Sequence, residues 1–540
     1  MTSAMSAIII ILGSIIILVT GYFFYARRVE RFFEINPKNV TPAHKYYDGV
    51  DYVPAKNWLV LFSHHFASIA GAGPIVGPVI AVAIWGWWPA LIWIVVGTIF
   101  MGGVHDFAAL IVSVRHKGRS IADIAGDVIS QRAKFIFLGF VWLALILVIA
   151  VFAAVCSKTL TVSPETVIPC FGLIGVALIV GLLLHRFKIN IFIATAIGLG
   201  LLILCIVLGD QRPIDIGPNA FSIWIIVLLA YAFIASVTPV QVLLQPRDYI
   251  ASFLLYFGVL VGIFGIILTR PVINAASFGG WKPEGGDWLW PMLFVTVACG
   301  ANSGFHALVA SGTTSKQLDN ERFAKRIGYG GMVLEAILAV IALLAVTAGL
   351  SASSLKVMLG KGGPGPIGAF GEGFGVLTSS ILLGKGKIIA IMILNAFILT
   401  TLDTATRITR YLSHELFKIK NRFFATSVVV LVSGVLALSG KWNKIWPMFG
   451  ASNQLVAALT FVVVSSWLLC KGKSLKFTFW PAVLMLITSI GALIYQLVGF
   501  LKEGNLLLAG VTVVLTVLSG MMVMDVVALV KKKNLKCRIF

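Results

Sequence analysis

Six side chains able to carry or pass a proton stand in stretches that are otherwise apolar: His64, His65, His105, Asp106, His306 and Glu335. An ionisable group inside a bilayer is costly, so such groups pair with one another or line a pathway. Histidine titrates near neutral pH, and imidazoles set among carboxylates are what a proton relay requires. By helix rise, His64 and His65 lie about 10 Å from one end of their apolar run, with His105 and Asp106 at comparable depth, and Glu335 lies roughly 12 Å inside its own. Each histidine could instead satisfy one structural hydrogen bond. A metal or haem site is a third reading, with His64, His65, His105 and Asp106 as ligand candidates. Adjacent His64 and His65 point to different helix faces, however, and the spacing assigns no set of three or four ligands.

Neutral polar groups accompany them where the chain reads as broken helix. In HHFASIAGAGPIVGP, His64 to Pro78, glycine loosens the helix and proline removes a donor, so the break is expected at Gly71, Ala72, Gly73 and Pro74. A half-helix starting near Gly73 or Pro74 would aim unpaired N–H groups and a positive dipole end into the membrane, where a carboxylate is the natural guest. Close helix packing is the other use of such glycines. A second interruption is expected at Ala235 to Gln241, where Ser236, Thr238 and Gln241 surround Pro239; the plainer reading is a proline kink satisfied by its own Ser and Thr. CGANSGFHALVASGTT places Asn302 and Ser303 near mid-membrane and Ser311, Thr313 and Thr314 further in, as ion ligands or as helix-packing contacts. The expected substrate-binding set is therefore Gly71, Ala72, Gly73, Pro74, Ser236, Thr238, Pro239, Gln241, Asn302 and Ser303. The expected coupling and pathway set is His64, His65, Ser68, His105, Asp106, His306, Ser311, Thr314 and Glu335. No residue is assigned a catalytic role.

The elements that must hold these groups follow from composition. A chain of 540 residues that is 59% hydrophobic and 12% charged, with mean hydropathy +0.99, is a polytopic all-α membrane protein. Its formal charge of +21 sits in short loops between apolar runs, which fits an inner membrane surface and excludes nucleic acid as a partner. Spans start near Ala4, Trp58, Trp88, Lys134, Val167, Asn190, Phe221, Tyr249, Pro291, Ile327, Lys387, Phe424, Ile445, Phe477 and Asn505, about 15 transmembrane helices in all. Threading them alternately puts most of the 42 Lys and Arg in the inner loops, with the N-terminus outside and the C-terminus cytoplasmic. Arg27, Arg28 and Arg31 follow the first run rather than preceding it, so it reads as an uncleaved helix.

Two interrupted helices, five spans apart and oppositely directed, are the pattern of an inverted-repeat secondary transporter. The expected units are residues 1–57, one helix and an inner loop; 58–209, a first five-helix repeat; 220–406, a second and inverted one; and 424–540, four further helices. Residues 270–290 suit an outer lid, and the Gly- and Pro-rich stretch 351–386 a membrane dip or a second lid. Asp403 and Arg407, four apart, read as a local ion pair. Cys156 and Cys170 flank one outer loop and could close a disulfide, while the cysteines otherwise read as small apolar fillers. There is no Walker loop for ATP and no soluble catalytic signature, so the chain is not read as an enzyme and its energy must come from an ion gradient.

Several long motifs carry a family resemblance. NPKNVTPAHKYYDGVDYVPAKNWLVLFSHHFASIAGAGPIVGP, GGVHDFAALIVSVRHKGRSIADIA, IASVTPVQVLLQPRDYI, CGANSGFHALVASGTTSKQ, TTLDTATRITRY and MFGASNQLVAALTF are similar to the carbon starvation protein A (CstA) family of bacterial inner-membrane transporters, from about Gly21 to Leu469. The resemblance implies a LeuT-like core and uptake of peptides in some members and pyruvate in others, with protons. The expectation is an ion-coupled symporter for a small carboxylate-bearing nutrient, used during carbon starvation, with H⁺ rather than Na⁺ as coupling ion and no cofactor. The bilayer and a small-molecule substrate are its expected partners, and its oligomeric state stays open. A membrane-embedded metal or haem oxidoreductase and a channel are the alternatives.

Overall fold

The computed structural model describes residues 6–49, 51–55, 57–238, 244–360 and 363–531. Twelve of its helices are long and apolar enough to cross a membrane, and a bent pair makes a thirteenth. No strand occurs among the described residues beyond one isolated bridge between Ser6 and Val272.

In chain order the helices are α1 (Ala7–Phe32), α2 (Trp58–Ile69), α3 (Gly73–Trp85), α4 (Trp87–Arg115), α5 (Gln131–Val162), α6 (Val167–His185), α7 (Ile191–Gln211), α8 (Ala220–Val237) and α9 (Leu244–Thr269). The second half adds α10 (Leu289–Thr296), α11 (Gly304–Gly312), α12 (Gly330–Ala348), α13 (Gly365–Leu377), α14 (Gly386–Phe417), α15 (Arg422–Leu438), α16 (Trp442–Cys470), α17 (Phe479–Lys502) and α18 (Leu506–Lys531). Short one- and two-turn helices link several of them.

The core is built on α5 and α14, two 32-residue helices that pack along each other. Each is about 48 Å long at the α-helical rise. Ser130 starts α5 by accepting from the Ala133 amide at 3.0 Å, which satisfies one of the donors a helix start leaves free. Around this pair lie α8, α15 and α16, while α2 packs on α9, α3 on α12, and α11 on α4 and α16. Apolar side chains turn outward where lipid would cover them: Phe192, Ile203 and Leu204 on α7 and Leu431 and Val435 on α15 are more than half exposed.

Four expectations change here. The helix expected to be interrupted at 235–241 ends at Val237, and the next begins at Leu244. Pro239 and Gln241 lie outside the described residues. The span expected from Pro291 is the broken one: α10, a single turn at Ala298–Ala301, and α11, with Asn302 and Ser303 extended between them. Arg407 does not pair with Asp403; its Nη2 donates to the carbonyls of Ala235 and Thr238 at 2.6 Å each, covering acceptors that the end of α8 leaves open. Cys156 and Cys170 are free, buried thiols. Of 351–386, the Gly-rich part forms α13, packed against α3, α12 and α14, and a short helix, Ala352–Leu359, precedes it.

Candidate functional site

The first break is short and tightly held. Ala70 leaves helical geometry at φ −75° and ψ 64°, its amide still bonded to Phe66 O, and Gly71 N donates to Ile69 O at 2.8 Å. The next backbone donors are Ile75 and Val76, both to Ala72 O, so the Ala72 and Gly73 amides open the N-terminal end of α3. α2 and α3 meet at 43°. Glycine is required at 73: a Cβ there would lie 2.4 Å from both Cβ and Sγ of Cys299.

The second break is filled from outside. Asn453 on α16 accepts from the Phe305 amide at 2.8 Å, standing in for an N-cap, and its amide nitrogen reaches Ser303 Oγ at 3.0 Å and Cys299 Sγ at 3.2 Å. Ser303 therefore faces the break, whereas Asn302 turns its amide to Met485 Sδ on α17 at 2.9 Å.

Between the two breaks lies a small cavity of about 10 Å³, roughly one water in size, lined by Gly71, Gly73, Pro74, Cys299, Ser303 and Thr401 among others. Thr401, on α14, is buried with an unpartnered hydroxyl and packs against Gly71. The sequence reading missed it, although it stands in the TTLDTATRITRY motif. Of the expected substrate-binding residues, Gly71, Gly73, Pro74 and Ser303 line this cavity, with Ala72 beside it in the break. Ser236 is buried with a free hydroxyl at the end of α8, and Thr238 bonds back to Ile234 O; neither lines the cavity.

The ionisable residues fall into two buried groups. In the first, Asp106 receives His105 Nδ1 on one oxygen and His306 Nδ1 on the other, each at 2.8 Å. His306 Nε2 stands 3.1 Å from Glu335 Oε2, although off the line of a hydrogen bond. An ionised carboxylate only accepts, so both imidazoles carry their Nδ1 proton toward Asp106. One further proton can then reside on either His306 Nε2 or Glu335. The helices responsible are α4, α11 and α12, and all four side chains are at most 1% exposed. His65 stands apart on α2, with Nδ1 2.9 Å from Thr314 Oγ1 and Nε2 buried without a partner. Ser68 and Ser311 spend their hydroxyls on His64 O and Ala307 O, one turn back in their own helices.

The second group includes residues no local signal marked. Arg247 binds Asp403 and Tyr231 through Nη1, and through Nη2 it reaches Asp248 Oδ1 at 2.7 Å and Asp403 Oδ1 at 3.2 Å. His64 Nδ1 meets Asp248 Oδ2 at 3.0 Å. His64 and His65 thus face different neighbours, as adjacent residues on a helix must. Arg247 and Asp248 read as loop residues beside Pro246, where a charge ordinarily means solvent. Among the described residues no group of three or more His, Cys, Asp or Glu side chains is arranged to hold a metal ion.

Comparison with known proteins gives consistent matches along the chain. The family described as Carbon starvation protein CstA matches residues 6–361 and 361–492. The peptide transporter CstA of Campylobacter jejuni is 31% identical over 93% of this chain and 82% of its own length. The pyruvate/proton symporter BtsT of Escherichia coli K12 is 30% identical over 90% of this chain and 81% of its own. A crystal structure of the Eremococcus coleocola manganese transporter, in complex with an aromatic bis-isothiourea substituted compound, superposes with a TM-score of 0.56. That alignment covers 92% of this chain and 100% of the other at 12% identity, a likeness of fold alone.

Proposed function

The chain belongs to the carbon starvation protein CstA family, and on that premise we propose that it is a proton-coupled importer of a short peptide or pyruvate in a bacterial inner membrane. The observation that carries this reading is the convergence at one cavity of two helix breaks and an unpartnered buried hydroxyl. Free amides at the start of α3 suit a carboxylate, and Thr401 and Ser303 offer it neutral hydrogen bonds. The cavity is too small for either substrate as it stands, so the described conformation is a closed one and loading requires the half-helices to part. Asp106, His306 and Glu335 form the relay, because the proton shared by His306 and Glu335 can leave without exposing a fixed cation.

The proposal extends to architecture, with about 15 spans and an inverted five-plus-five repeat of the LeuT kind. Its register is supported by matched features rather than by the 235–241 stretch. Each unit opens on a broken helix, α2–α3 and α10–α11. Each continues through a π-helical turn, Thr98–Gly102 in one and Lys325–Tyr329 in the other, and the two turns touch through the bond from Tyr329 OH to Ile99 O at 2.7 Å. Each then runs into a 32-residue helix, α5 or α14. The repeats are therefore 58–269, with the α6 and α7 hairpin inserted, and 289–470, in place of 58–209 and 220–406. Six crossings, α4 to α9, lie between the two broken spans, an even number, so the broken spans run in opposite directions. The concentration of Arg and Lys in alternate loops supports a cytoplasmic inner end of α2 and a terminal arrangement of N outside and C inside.

The test is uptake in proteoliposomes of labelled pyruvate and of a labelled dipeptide, each under an imposed proton gradient and then a sodium gradient. Accumulation of one of them with protons alone is expected. Accumulation with sodium only, or flux that never exceeds equilibration, overturns the coupling assignment.

A further inference from the structure

The Arg247 network contains one more negative charge than it can neutralise. Asp403 takes both Nη groups of Arg247 together with Tyr231 OH, and Asp248 takes Nη2. One guanidinium thus faces two carboxylates, and Arg247, Asp248 and Asp403 are fully buried. An uncompensated buried charge is expensive, and guanidinium keeps its proton. Among the described residues, His64 is the one imidazole touching the surplus carboxylate.

The other charged or titratable groups on the surrounding helices are engaged elsewhere. Arg407, one turn from Asp403 on α14, is bound to the last carbonyls of α8, and Arg410 lies over the Tyr411 ring at 4.5 Å. His65 on α2 faces Thr314, Glu335 on α12 faces His306, and Tyr256 on α9 is paired with Ser63 at 3.0 Å.

We propose that the His64–Asp248 pair is a second proton-binding site and that its proton latches the half-helix α2 to α9. With one proton on the pair, the network is neutral and α2 is held. Once that proton is lost, two carboxylates compete for Arg247 in a dry interior, and hydration becomes the cheaper state. α2 is the element free to respond, since it is a separate 12-residue helix joined to α3 through the break at Ala70 to Ala72. Arg247 and Asp403 keep α9 on α14, so the movement is confined to the α2 side. The inference rests on the transport reading for its consequence, opening of the inner end; its test needs no substrate.

The experiment is hydrogen–deuterium exchange of the full chain in detergent micelles, with rates corrected for intrinsic chemistry. Peptides from 58–69 should exchange at least about fivefold faster at about pH 8.5 than at about pH 5.5, while those from 386–417 stay constant. Asp248→Asn should abolish the pH dependence, and His64→Gln, which keeps a side chain able to bond Asp248, should do the same. A flat profile for 58–69 in the unaltered protein, or a profile retained in both variants, overturns the latch. Proteoliposome uptake is scored separately, so loss of the substrate assignment and loss of the latch are distinguishable.

Discussion

The chain of Asp106, His306 and Glu335 and the network of Arg247, Asp403, Asp248 and His64 are built from similar parts. Both are sealed from solvent, both hold two carboxylates, and both join helices distant in sequence. They differ in one residue type. Every carboxylate of the first is faced by an imidazole, whose charge comes and goes with a proton. The second contains an arginine, whose charge does not. The difference separates two arrangements of buried charge: in the proposed relay a proton can leave without stranding a fixed cation, whereas in the other network Arg247 with Asp403 is a permanent pair and Asp248 with His64 the pair proposed to gain and lose a proton.

The strongest way to break this comparison is to remove the permanent cation. Arg247→Met leaves the buried Asp403 carboxylate without a counter-charge and should cost about 3–5 kcal/mol of stability, read as a lowered thermal midpoint and poor recovery from the membrane. Adding Asp403→Asn should restore part of the loss. An Arg247→Met protein as stable as the parent would mean the clamp contributes nothing.

Glu335→Gln asks the opposite of the relay. Because no fixed cation is orphaned, the protein should fold normally, yet accumulation driven by a proton gradient should fall by about tenfold or more while exchange at equal pH persists. Equal loss of both activities would make Glu335 structural.

Gly73→Ala forces a methyl onto Cys299 and should destabilise by about 1–3 kcal/mol, with Cys299→Gly relieving the overlap. Rescue of folding without rescue of uptake would assign the Gly73 position to substrate as well as to packing. The smallest effect is expected at Thr401→Val, a loss of about 1 kcal/mol in substrate binding, seen as a rise of about fivefold in KM at unchanged expression. An unchanged KM would remove Thr401 from the site.

How legible these features were depended on their range. The run starting at Trp58 announced its own break, because Gly71, Gly73 and Pro74 act on the backbone within a few residues of themselves. The residues of the buried His105, Asp106, His306 and Glu335 cluster were also visible, since they are conspicuous in apolar surroundings. The second break was not, and for a specific reason: ANSGF in CGANSGFHALV contains no proline, and its unwinding is sustained by Asn453, about 150 positions away on α16. Pro239 drew attention instead, although the helix before it simply ends at Val237. Asp403 and Arg407 have the spacing of a helical ion pair, and that spacing was overruled by partners on α8 and α9.

Sequence alone therefore determined that the chain is a multi-span helical membrane protein, roughly where its apolar helices run, and that one of them breaks close to Gly71, although the break lies at Ala70 to Ala72, with Gly73 and Pro74 already opening α3. Those properties arise from helix rise, bilayer thickness and backbone chemistry, all of which act along a single stretch of chain. Tertiary structure decided which charges neutralise one another, that Thr401 shares a cavity with Gly71, and that Ser303 faces Asn453 while Asn302 turns to Met485. Those outcomes depend on which helices become neighbours, as when Arg247 meets Asp403 across 156 positions, and a buried charge takes whichever partner the packing brings within reach.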